Sequence, residues 1–232
     1  MIHGDAGVLA QFSTDLTDMS EVVDEVLDFF SKDGTVIVPT FTYSATKSVL
    51  FDPQQTPGEV GRFSEVFRLN GRTFRTSHPN FSVSVFGKRA DEILGLSLTD
   101  AFGPNTLFHF LEVANANLVT MGCSLNALTF THFVEQQVEV PYRFMKSFRA
   151  VVRDQRSIRE FETTYFVRNL DFGQDTSIEL KKFRERSFEL KELRSSHLGR
   201  FECTAIKASN CALIMRSMLD EDVLSLVKAG NR

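Results

Sequence analysis

The chain of 232 residues has no tryptophan, six prolines and only three cysteines. Cys123, Cys203 and Cys211 lie far apart without CxxC spacing, which excludes a disulfide framework and is typical of a reducing compartment. No apolar run approaches the roughly 18 residues that a membrane span requires. The first residues contain neither a basic segment nor an apolar core, so no secretory signal is visible. These absences predict a cytoplasmic protein without a membrane span.

A basic excess is also missing. The sequence has 26 Lys and Arg against 30 Asp and Glu, a net charge of −4, which disfavours a nucleic-acid partner. Phenylalanine is abundant, with 23 residues, and hydrophobic residues make up 42% of the chain. This composition is ordinary for a folded protein. The length suffices for one large domain or a core with a small appended subdomain.

Helical and strand patterns alternate through about residue 140, which is typical of an α/β layer. They predict helices over 20–30, with Ser20 as N-cap, and 107–113, and strands over 35–38, 81–86 and 118–121. After Pro141 they predict antiparallel strands over 150–152 and 163–167 around a turn at 153–156, a solvated helix over 179–193, a strand over 199–206 and a closing helix over 212–227. A boundary near residue 145 separates an α/β body, 1–145, from an α+β extension, 146–232. We expect the extension to pack on the body as one continuous domain.

The sharpest local pattern is the segment Thr129–Glu135. If it opens a helix, Thr129 or Thr131 is the cap, and His132 and Glu135 lie three residues apart on one face. A carboxylate beside an imidazole sets its tautomer and raises its basicity, as a general base requires. An ordinary histidine at a helix start has the same pattern, so both interpretations stay open. The second histidine of a metal motif is absent, and no metal site is predicted.

Three further segments carry polar side chains beyond predicted strands. The segment His3–Asp5 offers glycine and backbone amides that can hold an anion. The segment Thr40–Tyr43 follows a strand end, where α/β sheets receive ligands. In the segment Arg75–Pro79, Arg75 can hold a phosphate and an imidazole can orient a carbonyl or carboxylate. Ordinary turns account for each pattern as well. A nucleophilic Cys123 is disfavoured, because no nucleophile elbow surrounds it.

Taken in order, these segments resemble the antibiotic N-acetyltransferase family, which includes the aminoglycoside 3-N-acetyltransferases. The matching segments, within roughly residues 2–145, are His3–Asp5, Gly34–Phe41, Phe51–Pro53, Thr56–Pro57, Gly61, Arg75–Pro79, Phe86–Gly87, Phe102–Gly103, Met121–Gly122 and Thr129–Glu135. The ordered set of segments is far more specific to the family than any single segment. The resemblance implies a mixed β-sheet flanked by helices with an α+β C-terminal extension. It also implies transfer of an acyl group from acetyl-CoA or another acyl-CoA to the amine of an amino-sugar, without a metal.

The resemblance further implies roles for individual residues. His132 is the expected catalytic base, Glu135 its acidic neighbour, and Thr129 a hydrogen-bond donor to the thioester carbonyl or to pantetheine. The expected walls of the coenzyme A channel are His3, Gly4, Asp5, Pro39, Thr40, Phe41, Arg75, Thr76, Ser77 and His78. The body 1–145 would therefore hold both the acyl-CoA and the catalytic residues.

The chain departs from its relatives at two places near its start. They typically carry His-Ser-Ser where this chain has His3-Gly4-Asp5, so one hydroxyl contact to coenzyme A becomes a carboxylate. They also have a helix and the beginning of a strand before that loop. We expect either a true start upstream of Met1 or a truncated first strand.

The expected acceptor follows from the residues after the His132 helix. The predicted substrate-binding residues are Tyr43, Tyr142, Arg143 and Arg149, with Lys146 also contributing to a cationic rim. Such a rim suits a phosphorylated substrate, and the sequence variant resembles the family branch associated with surface polysaccharides. The predicted acceptor is therefore a nucleotide-linked amino-sugar. An aminoglycoside acceptor with antibiotic resistance, a non-catalytic coenzyme A or sugar-binding homologue, and a thioesterase-like hydrolase remain alternatives.

Overall fold

A computed structural model describes residues 1–11, 19–32, 34–154 and 157–228. Its helices are α1 (Ala6–Leu9), α2 (Met19–Ser31), α3 (Arg62–Leu69), α4 (Ala90–Leu94), α5 (Leu107–Val113), α6 (Phe130–Val138), α7 (Lys181–Glu189) and α8 (Ala208–Glu221). Its strands are β1 (Ile2–Gly4), β2 (Thr35–Pro39), β3 (Leu50–Phe51), β4 (Phe74–Arg75), β5 (Val83–Gly87), β6 (Asn117–Met121), β7 (Arg143–Asp154), β8 (Ser157–Arg168), β9 (Arg194–Leu198) and β10 (Phe201–Lys207). Short 3₁₀ segments cover Ala45–Lys47 and Leu125–Ala127.

The described strands form three sheets, and the first of them is mixed, as the resemblance implies. The first has the order β1-β6-β10-β9, with β1 parallel to β6 and the other pairs antiparallel. The second, β2-β5-β4, is antiparallel. The third has the order β3-β7-β8, with β3 parallel to β7 and β7 antiparallel to β8. The predicted α/β class with flanking helices is confirmed. The number of sheets is set by long-range pairing, which the local alternation of patterns does not report.

Strand β10, near the C-terminus, lies beside β6 of the N-terminal body. Its residues 203–207 oppose residues 121–117 in an antiparallel register, and α8 packs against α5, α6 and α7. The segments 1–145 and 146–232 therefore share a sheet and a core. We interpret the chain as one continuous domain in which the extension packs on the α/β body.

Helix α2 shows how apolar spacing becomes packing. Val22, Val23, Val26 and Leu27 are buried, and α2 packs against α3 and β2. Their spacing of one and four residues places them on one face of a helix. Ser20 lies inside the helix, which already includes Met19, so its prediction as N-cap is wrong. The sequence also predicts that Asp33-Gly34 ends this helix, and residue 33 lies outside the described residues.

The other predicted elements differ from the structure mainly in length, whereas α1, α3, α4, β3 and β4 were not predicted. Strands β7 and β8 are twelve residues each, longer than the two predicted strands. The prediction was too short because many of their side chains are exposed and charged and show no apolar alternation. Residues 155–156 of the predicted turn lie outside the described residues. Strand β9, with its exposed polar side chains, was not predicted. The predicted closing helix begins four residues earlier, at Ala208, and ends at Glu221. None of the described helices is long and apolar enough to cross a membrane.

Candidate active site

Helix α6 begins beyond the C-terminal end of β6. Gly122, with φ of +70°, turns the chain there, and a side chain at this position would collide with Val8 and Phe201. Ser124 then caps the 3₁₀ segment by accepting a hydrogen bond from the amide of Asn126 at 3.1 Å. Helix α6 follows after Thr129. This path places the first turn of α6 just past the edge of the sheet.

His132 and Glu135 make direct contact on α6. Nδ1 of His132 lies 2.6 Å from Oε2 of Glu135, which confirms the predicted contact between side chains three residues apart. The His132 side chain is 19% exposed, whereas Glu135 is fully buried. The pair therefore has one end within reach of solvent and the other inside the protein.

Two residues beyond α6 complete the surroundings of Glu135. The hydroxyl of Tyr142 donates to Oε1 at 2.9 Å, and Nε of Arg143 lies 2.7 Å from Oε2 in an ion pair. Glu139, with φ of +55°, ends the helix in a left-handed turn that sends the chain back toward it. Both carboxylate oxygens of Glu135 thus have partners, as a buried charge requires.

The charges around the pair determine its protonation. Burial alone raises the pKa of Glu135, but His132, Arg143 and the Tyr142 hydroxyl together hold that pKa below its usual range. Burial and the positive charge of Arg143 lower the pKa of His132 by more than Glu135 raises it. At neutral pH the site therefore contains an ionised Glu135 and a neutral His132.

An aromatic cluster packs against the imidazole through Phe102. We use this name for Phe41, Phe81, Phe102 and Tyr165. Phe102 packs edge-on against His132 at a ring-centroid distance of 6.0 Å, and Phe81 links Phe102 to Phe41 at 5.1 Å on each side. Tyr165 lies 5.0 Å from Phe81. Phe81, Phe102 and Tyr165 had no predicted role in the site. Nothing distinguishes the two phenylalanines among the 23 of the chain, and Tyr165 lies far from the others in sequence.

The structure corrects the placement of Tyr142 and Arg143, which were predicted to bind substrate at the rim. Tyr142 is fully buried and Arg143 is 8% exposed. The turn at Glu139 directs both beneath α6, where Tyr142 and Arg143 contact Glu135 and Arg143 also donates to the carbonyl of Phe166. The spacing of seven residues between Glu135 and Tyr142 does not predict their contact, because the contact depends on the direction in which the chain leaves the helix.

The other predicted substrate residues lie elsewhere. Tyr43 is half-buried in a left-handed conformation, and its ring packs edge-on against Phe41 and Phe81. Burial, together with Tyr165 and Glu59, raises the pKa of Tyr43 to about 12. Arg149 is exposed and pairs with Glu160 across the β7–β8 hairpin. Six residues of strand separate it from Arg143, which corresponds to about 20 Å.

The segment His3–Asp5 forms a strand end and a helix cap. His3 lies in β1 opposite Thr120 of β6, and burial with the amino group of Met1 lowers the pKa of His3 to about 3. The ring of Phe63 packs against Gly4 so closely that it leaves no room for a Cβ atom at that position. Asp5 caps α1 by accepting from the amide of Gly7 at 2.7 Å. Within the segment, the amide of Asp5 donates to the carbonyl of Met121 at 2.9 Å and is therefore not available to an anion.

Arg75 holds two predicted coenzyme A segments together. Its Nε donates to the hydroxyls of Thr40 and Ser82, each at 3.1 Å. Its terminal nitrogens donate to the carbonyls of Thr40, Pro53 and Thr56. Every guanidinium nitrogen thus contacts a protein oxygen, which argues against the bidentate phosphate contact predicted for Arg75.

The remaining residues of the predicted channel are largely buried. Pro39 ends β2, and Thr40 and Phe41 follow it with no more than 1% exposure. Thr76 pairs with Val83 through its backbone and its hydroxyl. Ser77 is half-buried between Thr76 and His78. These residues therefore lie mostly beneath the protein surface, where they support the predicted channel rather than line it.

His78 is a structural acceptor in its own loop. Its Nδ1 accepts hydrogen bonds from the amides of Asn80 and Phe81, at 3.1 and 3.0 Å. Burial lowers the pKa of His78 to about 4, so the imidazole is neutral. Its ring lies 5.7 Å from that of Phe81, which places the loop against the same aromatic cluster as His132.

Thr129 occupies the N-cap position of α6 and is half-buried. Its hydroxyl makes no capping bond to the described backbone. Burial raises the pKa of the Cys123 thiol, the opposite of what a nucleophilic cysteine requires. Among the residues that the structure describes, no three or more His, Cys, Asp or Glu side chains form a group that could hold a metal ion.

Comparison with solved structures defines the class of the fold. Aminoglycoside acetyltransferase AAC(3)-Xa superposes with a TM-score of 0.77 at 16% identity, covering 95% of this chain and 86% of that chain. AAC-IIIb, solved in binary complex with CoASH, gives 0.75 at 17% identity over 95% and 89% of the two chains. The YokD protein from Bacillus subtilis gives 0.73 at 16% identity over 96% and 86%. The fold is that of the acetyltransferases.

The sequence defines the family as well. The family model described as aminoglycoside 3-N-acetyltransferase matches residues 1–220, nearly the whole chain. The chain belongs to the aminoglycoside 3-N-acetyltransferase family, and it is an N-acyltransferase that uses acyl-CoA as its acyl donor. The resemblance to the antibiotic N-acetyltransferase family is thereby confirmed.

Proposed function

We propose that this protein transfers an acyl group from acyl-CoA to an amine of an aminoglycoside or a closely related amino-sugar, with His132 as the general base. The observation that carries the proposal is the contact of 2.6 Å between His132 and the buried Glu135. When Nδ1–H donates to Glu135, the lone pair of Nε2 is free to accept a proton from the attacking amine. The low pKa of His132 keeps that lone pair available at neutral pH.

The reaction forms a bond between the amine nitrogen and the thioester carbon and breaks the carbon–sulfur bond. His132 takes the proton released by the amine and returns a proton to the departing thiolate, so that the base is regenerated. Thr129, half-buried immediately before α6, would donate to the thioester oxygen as negative charge develops there.

For coenzyme A, the most suitable of the predicted residues are those near β1 and the loop after β4. Nε2 of His3 is buried without a hydrogen-bond partner among the described residues, so it can meet a polar atom of a ligand. Ser77 has a half-buried hydroxyl in the loop that rests on the aromatic cluster. Arg75 would act indirectly, by holding Thr40 in place.

The acceptor follows from the loss of the expected cationic rim. Arg143 is committed to Glu135, and Arg149 is paired with Glu160 about 20 Å along the strand. A nucleotide diphosphate therefore loses the two arginine contacts that favoured it. Related enzymes of the same fold were solved with sisomicin, a gentamicin and apramycin. A polycationic amine is thus our preferred acceptor, over a nucleotide-linked amino-sugar.

An acceptor panel tests the proposal. Release of free thiol from acetyl-CoA would be followed with gentamicin, sisomicin, apramycin, a nucleotide-linked amino-sugar and no acceptor. We expect release only with an amine, and highest with an aminoglycoside. Preference for the nucleotide-linked sugar would restore the surface-polysaccharide alternative. Release without any amine would indicate a hydrolase, and no release in any mixture would indicate a binding homologue.

A further inference from the structure

We propose that Arg143 and Tyr142 are positioning residues that set the pH at which His132 works, by acting through Glu135. This inference rests on the proposed function, because it concerns the proton-accepting state of the same imidazole. Neither residue touches the ring nitrogen that would face the substrate. Both touch the carboxylate that touches the ring.

The contacts divide the two oxygens of Glu135 between three groups. Oε1 accepts from the Tyr142 hydroxyl at 2.9 Å, while Oε2 lies 2.6 Å from Nδ1 of His132 and 2.7 Å from Nε of Arg143. A carboxylate held in this way has little freedom to rotate, because each oxygen has its own donor. The ring orientation of His132 therefore depends on Tyr142, whose hydroxyl donates to the carboxylate, while Arg143 places its charge beside Oε2.

The charge of Arg143 opposes the effect of Glu135 on the imidazole. A buried carboxylate beside a histidine stabilises the protonated ring, and a protonated ring cannot serve as a base. Arg143 places a buried positive charge against the same carboxylate and disfavours a second positive charge on His132. The site gains the orientation that Glu135 provides without holding the imidazole protonated.

The other charged and titratable groups near His132 do not replace Arg143. Arg168, at the end of β8, also lowers the pKa of His132 but is the smallest contributor. Tyr165 of the aromatic cluster contacts Arg143, and burial raises the pKa of its hydroxyl, so it remains neutral. Glu135 is the one group of α6 that acts in the opposite direction. Burial has the largest effect on the pKa of His132, and among the charged groups the balance lies mainly between Glu135 and Arg143.

Charge-removing and charge-keeping variants test the inference. Arg143→Gln should move the acid limb of the kcat/KM profile to higher pH by about half to one unit, because the His132–Glu135 pair then takes up a proton more readily. Tyr142→Phe should move the limb in the same direction by less. Arg143→Lys should leave the limb in place and lower the plateau, since lysine keeps the charge but lacks the planar fork. Arg159→Gln, an exposed arginine of β8 paired with Asp154, is the control.

A measurement without catalysis separates this inference from the proposed function. The ring protons of His132, assigned by their loss in His132→Asn, would be titrated by NMR in the wild type and in each variant. Their pKa should rise in Arg143→Gln and remain near the wild-type value in Arg143→Lys. An unmoved titration in folded Arg143→Gln and Tyr142→Phe would overturn the inference. A moved titration in a protein that transfers no acyl group would show that Arg143 and Tyr142 act on His132 through Glu135, and it would refute the proposed function. If Arg143→Gln does not fold, the titration of Tyr142→Phe decides the matter alone.

Discussion

Nδ1 of His132 lies 2.6 Å from Oε2 of Glu135, so the ring has one nitrogen committed to the protein and one, Nε2, on its other side. A ring held in this way exists as a defined tautomer, with its proton on Nδ1. The chemistry proposed for the site depends on this arrangement, and loss of either member should have its own kinetic signature.

Replacing His132 by asparagine should abolish transfer and spare coenzyme A binding. Loss of a general base typically lowers the rate by about 10²–10⁴-fold, while the proposed coenzyme A contacts lie in other segments. Steady-state kinetics and isothermal titration with coenzyme A would measure the two effects. His197→Asn, in the exposed strand β9, is the matched control and should retain activity. Substantial transfer by folded His132→Asn would contradict the mechanism.

Replacing Glu135 by glutamine should reduce activity less than loss of His132 and should move the acid limb of kcat/KM to lower pH. The amide keeps a hydrogen-bond acceptor for Nδ1 but removes the negative charge that raises the pKa of the imidazole. Arg143 would then lower that pKa without opposition. The pH profile from about 4.5 to 8 checks the direction of the shift. An acid limb in its original place, with activity intact, would assign Glu135 a structural role only.

Gly4→Ala should destabilise the protein by about 1–3 kcal/mol, as overpacking of a core does. A Cβ at this position would lie 2.5 Å from Cε2 of the fully buried Phe63, which has little room to move. Denaturant unfolding would measure the loss. Gly71→Ala provides the control, because nothing among the described atoms lies within 4 Å of a Cβ built there. Equal stability of the two variants would show that Phe63 can relax.

The free energy of unfolding should fall as the pH drops from about 6.5 toward 4. Burial lowers the pKa of His78 to about 4 in the folded protein, while the unfolded chain takes up the proton near 6.5. The unfolded state therefore binds more protons in this window, and stability decreases with acidification by at most about 3 kcal/mol from this residue. Urea melts at several pH values would show the slope.

The slope should be smaller in His78→Gln, although that variant will be less stable at every pH because the amides of Asn80 and Phe81 lose their acceptor. His3, which is also buried and neutral, contributes a slope of the same sign in both proteins. A slope unchanged by the substitution would mean that His78 titrates normally in the folded state.

Local patterns predicted the parts of the site that are local. The bounds of α5 agree with the predicted helix over 107–113, and the contact between His132 and Glu135 follows from helical geometry. Tyr142 could not be placed in the same way, because its contact with Glu135 requires the left-handed turn at Glu139. A non-glycine residue in that conformation gives no reliable sequence signal.

Arg75 illustrates the other limit. Its residue type and its position after a strand suggested a phosphate ligand, but its partners come from segments 19 to 35 residues earlier, at Thr56, Pro53 and Thr40. An arginine that binds a ligand and an arginine that satisfies buried carbonyls look alike in a sequence. Tertiary contacts decide between them, and here they favour the carbonyls.

The position of β10 between β6 and β9 affects the order in which the protein can be completed during synthesis. Strand β6 leads into the helix that carries His132, yet one of its edges is paired with residues 203–207. That edge stays open until the ribosome has made residues 203–207, and an open strand edge is a site for mispairing and aggregation. A nascent chain that stops before Phe201 would already contain every residue of the proposed catalytic pair. It would lack β10, the strand that pairs with β6 in the first sheet.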